Sequence, residues 1–174
     1  MQLRNIGIAL VAVTLLVLTF TISALEQHSW RQVGKAKLEV LFWDVYQARL
    51  YTPDGNFKGI KGPLKLHLTY YIDIDGADLA EETGNQWQEM QFEHADNNTW
   101  LRQLKQVFPD LQENDSLTMV LDDNDVGYLL HNENLIYRFE PSVQLNQFLA
   151  IWLSDKSTRP KLMTKLTGQN PQKD

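Results

Sequence analysis

A chain of 174 residues with 22 acidic and 16 basic side chains carries a net charge of −6, and without a basic stripe to neutralise phosphates it does not suit a nucleic-acid partner. It has no cysteine, which excludes disulfides, thiolate metal sites and a thiol nucleophile. Packing alone must hold the fold, and the roughly 150 residues after the first segment match the usual size of one domain.

The chain opens with Arg4 followed by an apolar run from Ile6 to Ile22, interrupted mainly by Thr14, Thr19 and Thr21, and closes this segment on Ser23 and Ala24. A basic start, an apolar stretch and a small-residue end are the order of a secretory signal. A cut after Ala24 places the large Ile22 at a deciding position, whereas a cut after Ser23 places Thr21 and Ser23 there. Left uncut, a helix of this length, rising about 1.5 Å per residue, nearly spans a bilayer core of roughly 30 Å. A buried helix of a cytosolic protein would instead show polar positions at helical spacing. Residues 1–24 are therefore expected to be a signal peptide or N-terminal membrane anchor. The protein is expected to be periplasmic or otherwise extracytoplasmic, touching the membrane only through residues 1–24 if they remain. Their removal leaves 15 basic against 22 acidic residues, a net of −7.

The domain proper, residues 25–168, begins with strands. Leu38, Val40, Phe42, Tyr46, Ala48 and Leu50 fall on alternate positions with Asp44 between, predicting two extended pieces joined by a bend or bulge. Tyr51-Thr52-Pro53-Asp54-Gly55 is a turn, and the glycine-containing loop to Pro63 lacks the spacing of a phosphate cradle. Leu64, Leu66, Leu68, Tyr70, Ile72 and Ile74 then alternate with Lys65, His67, Thr69, Tyr71 and Asp73, the pattern of a strand with one buried face. Ala77 to about Phe92 reads as a helix with Leu79, Trp87 and Met90 inward, weakened by Gly84. A second helix runs from Asn98 or Thr99 to Phe108 and stops at Pro109. Leu117, Met119 and Leu121 start a second group of strands, which continues through Val126–Leu130 and Leu135–Phe139 with turns at 122–125 and 132–134. A helix then carries Val143, Leu145, Phe148, Leu149, Trp152 and Leu153. Pro160 opens a short final helix that Gly168 stops, and residues 169–174 form a polar tail.

Strands, helices, strands and helices in that order lack the regular alternation of a parallel sheet. The expected fold is α+β, an antiparallel sheet with helices packed on one face. No metal site is expected, because His28, His67, His94 and His131 are scattered without a ligand pair on one element. The run Asp122-Asp123-Asn124-Asp125-Val126-Gly127 mimics a calcium loop, but Val126 stands where an oxygen ligand is required, so a solvated hairpin turn is expected. Asp73 and Asp75 border Gly76 and read as a polar turn or helix cap. No GxSxG or dinucleotide pattern occurs, and no cofactor is expected.

Two long stretches, Val33-Gly34-Lys35-Ala36-Lys37-Leu38 and Leu41 to Gly55, resemble the opening strands of the bacterial chalcone-isomerase-like family. Further landmarks follow in order: Leu68-Thr69-Tyr70-Tyr71, Phe108-Pro109-Asp110 with Asn114-Asp115-Ser116-Leu117, Phe148 to Ser154, Thr158-Arg159-Pro160-Lys161-Leu162 and Leu166-Thr167-Gly168. The resemblance covers about Trp30 to Gly168. It implies an open-faced β-sandwich, a large antiparallel sheet with helices over one side and a ligand cleft between the two layers. The plant enzymes of this resemblance close a chalcone into a flavanone with an arginine, a threonine and a tyrosine. Here Lys35 and Lys37, with Arg31 another option, lie where the arginine is expected, Trp43 sits near the threonine position, and Asp73–Leu79 contains no tyrosine. Lysine also lacks the planar fork of arginine. Glu133 and Met163 are further departures.

The family also includes members that bind fatty acids without catalysis, so the resemblance implies non-catalytic binding of a small hydrophobic or fatty-acid-like ligand. Lys37, Tyr46, Arg49, Tyr70 and Tyr71 are the candidates for the lining or mouth of such a cleft. Each also fits a plainer role: Tyr46 and Tyr70 as core tyrosines, and Lys37, Arg49 and Tyr71 as solvated strand residues. The alternatives are an isomerase or lyase acting on an α,β-unsaturated ketone, with Lys37, Arg49 or a nearby tyrosine polarising the carbonyl, and an envelope module whose apolar faces serve a protein partner. The first two require an enclosed cleft; the third implies a filled core and an exposed apolar patch.

Overall fold

The structure is a computed structural model that describes residues 28–169. The segment 1–24, read as a signal or anchor, lies outside the described residues, as does the tail beyond Gln169. Among the described residues no helix is long and apolar enough to cross a membrane.

Strands β1 (Arg31–Val40), β2 (Trp43–Thr52) and β3 (Leu64–Tyr70) are followed by helices α1 (Gly76–Glu89) and α2 (Asn97–Val107). Strands β4 (Ser116–Leu121), β5 (Gly127–His131) and β6 (Asn134–Phe139) come next, then helices α3 (Val143–Leu153) and α4 (Pro160–Thr167). All six strands form one antiparallel sheet in sequence order. The α1–α2 excursion leaves and returns without separating its flanking strands, since Leu64 pairs with Leu121 and Thr69 with Ser116.

Register places the apolar halves of the strands on a common face. Leu50 stands opposite Leu66, Leu66 opposite Met119, and Met119 opposite Leu129. Because side chains alternate across a strand, this stacks a continuous apolar band that the helices cover. Leu50, Leu64, Leu66, Leu104, Leu129, Leu149 and Leu166 are fully buried there, each burial worth about 1.5–3 kcal/mol relative to exposure. The opposite face holds the polar partners of the alternation. His67 bridges Thr118 Oγ1 (2.8 Å) and Thr69 Oγ1 (3.2 Å) on it, and burial lowers the imidazole pKa.

Local signals place the helix ends. Ser142 Oγ accepts a hydrogen bond from the Leu145 N–H at the start of α3, Pro160 opens α4, and Gly168 ends it at φ 71° in the left-handed region. At α1 the expected cap differs: the Asp75 side chain makes no capping bond, and Asp110 Oδ1 accepts from the Gly76 N–H (2.9 Å) instead. The 122–125 segment is a turn in which Asp122 Oδ1 accepts from the N–H groups of Asn124 and Val126.

Several boundaries depart from the sequence reading. Phe42 is not a strand residue but part of the β1–β2 turn, fully exposed, because the strands reverse two residues before Asp44. The third strand ends at Tyr70, and Ile74 contributes only a single bridge to Leu111. β4 is buried on both sides, since Val120 packs with Val126, Tyr128, Trp30 and Leu130 on the outer face. Val143 is exposed at the start of α3.

Helix α4 meets β1 almost backbone to backbone at Gly34, beside a register shift in the β1–β2 pairing. A Cβ there would lie 2.2 Å from the Lys165 carbonyl oxygen and 2.4 Å from that of Leu166. Gly34→Ala is expected to cost about 2–4 kcal/mol in urea unfolding. Gly84→Ala, whose new Cβ meets only the flexible end of Leu101, is expected to change stability by less than about 1 kcal/mol.

Candidate functional site

Between the apolar face of the sheet and the helices lies a cleft of about 520 Å³. Its floor is the inward half of the strands: Leu66, Leu68, Leu117, Met119 and Leu129, with Tyr46 and Tyr70 at one end. Its roof is α1, whose Asp78, Leu79, Glu82, Thr83 and Gln86 follow the spacing of a single helical stripe. Phe148, Ile151 and Trp152 from α3 close one wall, and Leu162 of α4 adds to it. Leu38, Val40 and Val45 of the first hairpin form a lip. The exposed members of the lining, among them Asp78, Glu81, Glu82, Asn85 and Arg159, mark the mouth.

A polar brace fastens the roof to the wall. Gln86 donates to Glu82 Oε1 (2.8 Å) and its own carbonyl oxygen accepts from the Thr158 hydroxyl (2.5 Å). The following residues are held as well, since the Ser157 hydroxyl donates to the Ile151 carbonyl (2.6 Å) and accepts from the Arg159 N–H (3.2 Å). Arg159 is thus presented at the mouth from a defined backbone position immediately before Pro160. Its guanidinium forms no ion pair among the described residues, and it is the one cation of the lining.

Inside, the Trp152 indole N–H donates to the Tyr46 hydroxyl at 2.8 Å. The hydroxyl oxygen is therefore used as an acceptor while its own hydrogen remains free to donate inward. The Tyr70 ring lies 5.6 Å from that of Tyr46, and its hydroxyl has no protein partner among the described residues. Burial pushes the Tyr46 phenol up to about 12, opposed by the Trp152 bond and by the nearby Arg159 charge, with Glu82 adding slightly to the rise. Burial raises Tyr70 further, with Tyr46 contributing. Both phenols remain neutral donors across the physiological range. The cleft therefore combines an apolar body with two phenol donors and one guanidinium, a set that matches a ligand with an apolar chain and an oxygen acceptor.

Of the five residues singled out from sequence, Tyr46 and Tyr70 line the cleft. Lys37, Arg49 and Tyr71 are outside its lining, because strand alternation turns them away from the helices when Leu38, Ala48, Leu50 and Tyr70 face inward. Lys37 pairs with Asp44 (2.8 Å) and sits over the Tyr71 ring. Arg159, Trp152, Glu82 and Gln86 line the cleft without being among the site candidates that the sequence offers. A signal existed for Arg159, an arginine directly before a helix-opening proline, but nothing local tells that this helix start faces a cleft.

No protein-family model matches the chain. It is 26% identical over 170 residues to an uncharacterized protein of Haemophilus influenzae, covering 97% of this chain and 79% of that one. Among solved structures, it is similar to the fatty-acid binding protein AtFAP1 of Arabidopsis thaliana, with a TM-score of 0.60 and 14% identity over 80% of this chain and 87% of that one. The fold is the chalcone-isomerase-like α+β fold, a six-stranded antiparallel sheet with four helices packed against it.

The raised Tyr46 pKa carries a stability signature. Above pH ~10 the unfolded chain loses this proton while the folded protein keeps it, so the contribution is complete below pH 10 and is lost as pH rises toward 12. Tyr46→Phe should flatten the fall in unfolding free energy across that window by up to about 2–3 kcal/mol. Denaturant melts at pH 8, 10 and 12 measure it. Equal slopes for both proteins would show that Tyr46 ionises as readily folded as unfolded.

Proposed function

We propose that this chain is a non-catalytic, extracytoplasmic binding domain for a small hydrophobic ligand of the fatty-acid type. The observation that carries the reading is the open apolar cleft of about 520 Å³ whose phenol and guanidinium donors lack acceptors among the described residues. Ligand sites commonly span roughly 300–1,000 Å³, and each methylene removed from water contributes about 0.8 kcal/mol before ordering costs. The acyl chain lies along Leu66, Leu68, Leu117 and Met119, while the head group takes hydrogen bonds from Tyr46, Tyr70 and Arg159. The similar fold of a solved fatty-acid binding protein supports the same reading. The apolar run Ile6–Ile22 supports export, either as a removed signal or as an anchor.

An isomerase using Lys37 or Arg49 to polarise a carbonyl is less well supported, because both side chains leave the strands on the far side of the sheet from the cleft. Tyr46 and Tyr70 suffice to bind a carbonyl oxygen.

Native mass spectrometry of the protein mixed with palmitic acid and, separately, with hexadecanol tests the assignment. A one-to-one palmitate adduct is expected, bound more tightly than the alcohol. Arg159→Ala should weaken palmitate about 10- to 100-fold and leave the alcohol unchanged, since a charged hydrogen bond is worth roughly 1.5–3 kcal/mol. If neither compound binds, the cleft is not a lipid site and the protein-partner reading takes its place.

A further inference from the structure

The β1–β2 hairpin runs past the rest of the sheet. Its pairing continues to Val40 opposite Trp43, whereas β3 first joins β2 at Tyr46 opposite Tyr70. The overhang ends in Leu41, Phe42 and Trp43, which are 87%, 100% and 72% exposed. Leu41 has φ 57°, a left-handed conformation that a two-residue hairpin turn normally gives to asparagine or glycine. A turn with positive φ at its first position alone favours Gly there; this one accepts strain and places two large apolar side chains in water instead. Leu135 and Ile136, exposed at the start of β6, belong to the same end of the sheet, because His131 pairs with both Leu117 and Asn134.

We propose that this hairpin tip inserts into the surface of a neutral lipid bilayer and holds the cleft mouth against it. Three observations select the bilayer over a protein. The tip is a point and not a plane: three side chains bury about 500 Å² at most, below the roughly 800 Å² per partner of a stable protein interface. An aromatic pair beside an aliphatic side chain suits the boundary between head groups and acyl chains. The hairpin is also continuous with the cleft, since Leu38, Val40 and Val45 behind the tip form its lip. Charge then chooses the lipid. Lys37 and Asp44 pair off, and Glu39, Asp73 and Glu113 around this end with Asp78, Glu81 and Glu82 at the mouth outnumber the one lining cation, Arg159, so anionic head groups are repelled and zwitterionic ones are not. Insertion stands independently of what the cleft binds. Its consequence, loading of the ligand directly from the membrane, rests on the binding reading above.

The absence of cysteine makes a single labelled thiol an unambiguous probe. Full-length protein carrying Phe42→Cys or Asn124→Cys is labelled with an environment-sensitive fluorophore and mixed with phosphatidylcholine vesicles bearing nitroxides on their acyl chains. Position 124 lies at the opposite end of the sheet, where His28, the first described residue, meets Asp123 at 3.2 Å. It therefore reports a domain held to the vesicle only by its N-terminal segment. The label at 42 is expected to shift to the blue and lose most of its emission, the label at 124 to keep it, and added phosphatidylglycerol to weaken the effect. A label at 42 that stays in water, or that becomes shielded only with rising protein concentration and without lipid quenching, overturns the proposal, the latter in favour of a second copy or a protein partner.

A second variant avoids any question of folding. Leu41→Gly with Phe42→Asn installs the residues favoured by a turn whose first position alone has positive φ, so the melting temperature should be unchanged or higher. Transfer of a fluorescent fatty acid from vesicles should slow by about tenfold or more, in line with the lost apolar area, while uptake from solution is unchanged. Failure of uptake from solution in both proteins would strike the binding reading alone, because the quenching result still decides insertion.

Discussion

One antiparallel sheet turns most of its apolar side chains toward a single layer of helices, and that layer does not seal against it. The candidate site follows from this incomplete cover. Leu50, Leu66, Met119 and Leu129 would be a closed core if α1 lay flat on them. Instead α1 spans a gap of about 520 Å³, braced at a distance by the Gln86–Thr158 bond to the loop that opens α4. Apolar side chains that face solvent in an open cleft forgo the stabilisation of burial, which an apolar ligand would restore.

The polar chemistry of the gap is economical. Tyr46 accepts from Trp152 and keeps its own hydrogen available to donate, and burial keeps it protonated. Tyr70 beside it is held neutral for the same reason. Arg159 supplies a permanent positive charge at the solvent edge. Donors within and a cation at the rim suit an oxygen-bearing head group; the leucine floor suits its tail. The first hairpin overhangs the lip of the same cleft with Leu41 and Phe42 in water.

Much of the architecture is legible without coordinates. The seven-residue alternation from Leu64 to Tyr70 marks a half-buried strand because a period of two has no other reading. Pro160 and Gly168 bracket α4 because one lacks an N–H and the other tolerates positive φ. Tyr46 and Tyr70 stand on apolar strand faces in sequence and in space. Phe42 departs from its apolar pattern for a physical reason: the alternation continues through the turn, and periodicity alone cannot tell a buried aromatic from one displayed at a hairpin tip. Lys37, Arg49 and Tyr71 carry groups that suit a cleft mouth, yet a single step along a strand reverses the face.

Local patterns in the amino-acid sequence thus determined the strand and helix types, the one-sided apolar sheet and the apolar character of residues 6–22. These depend on backbone geometry and hydrophobic periodicity, which act over a few residues. Only the tertiary structure decided that the helices stand off the sheet, that Arg159 from one end of the chain and Tyr46 from the other share a cleft, and that Leu41, Phe42 and Trp43 face water at its lip. Those outcomes depend on how separate elements pack against one another, and no window of sequence contains both partners.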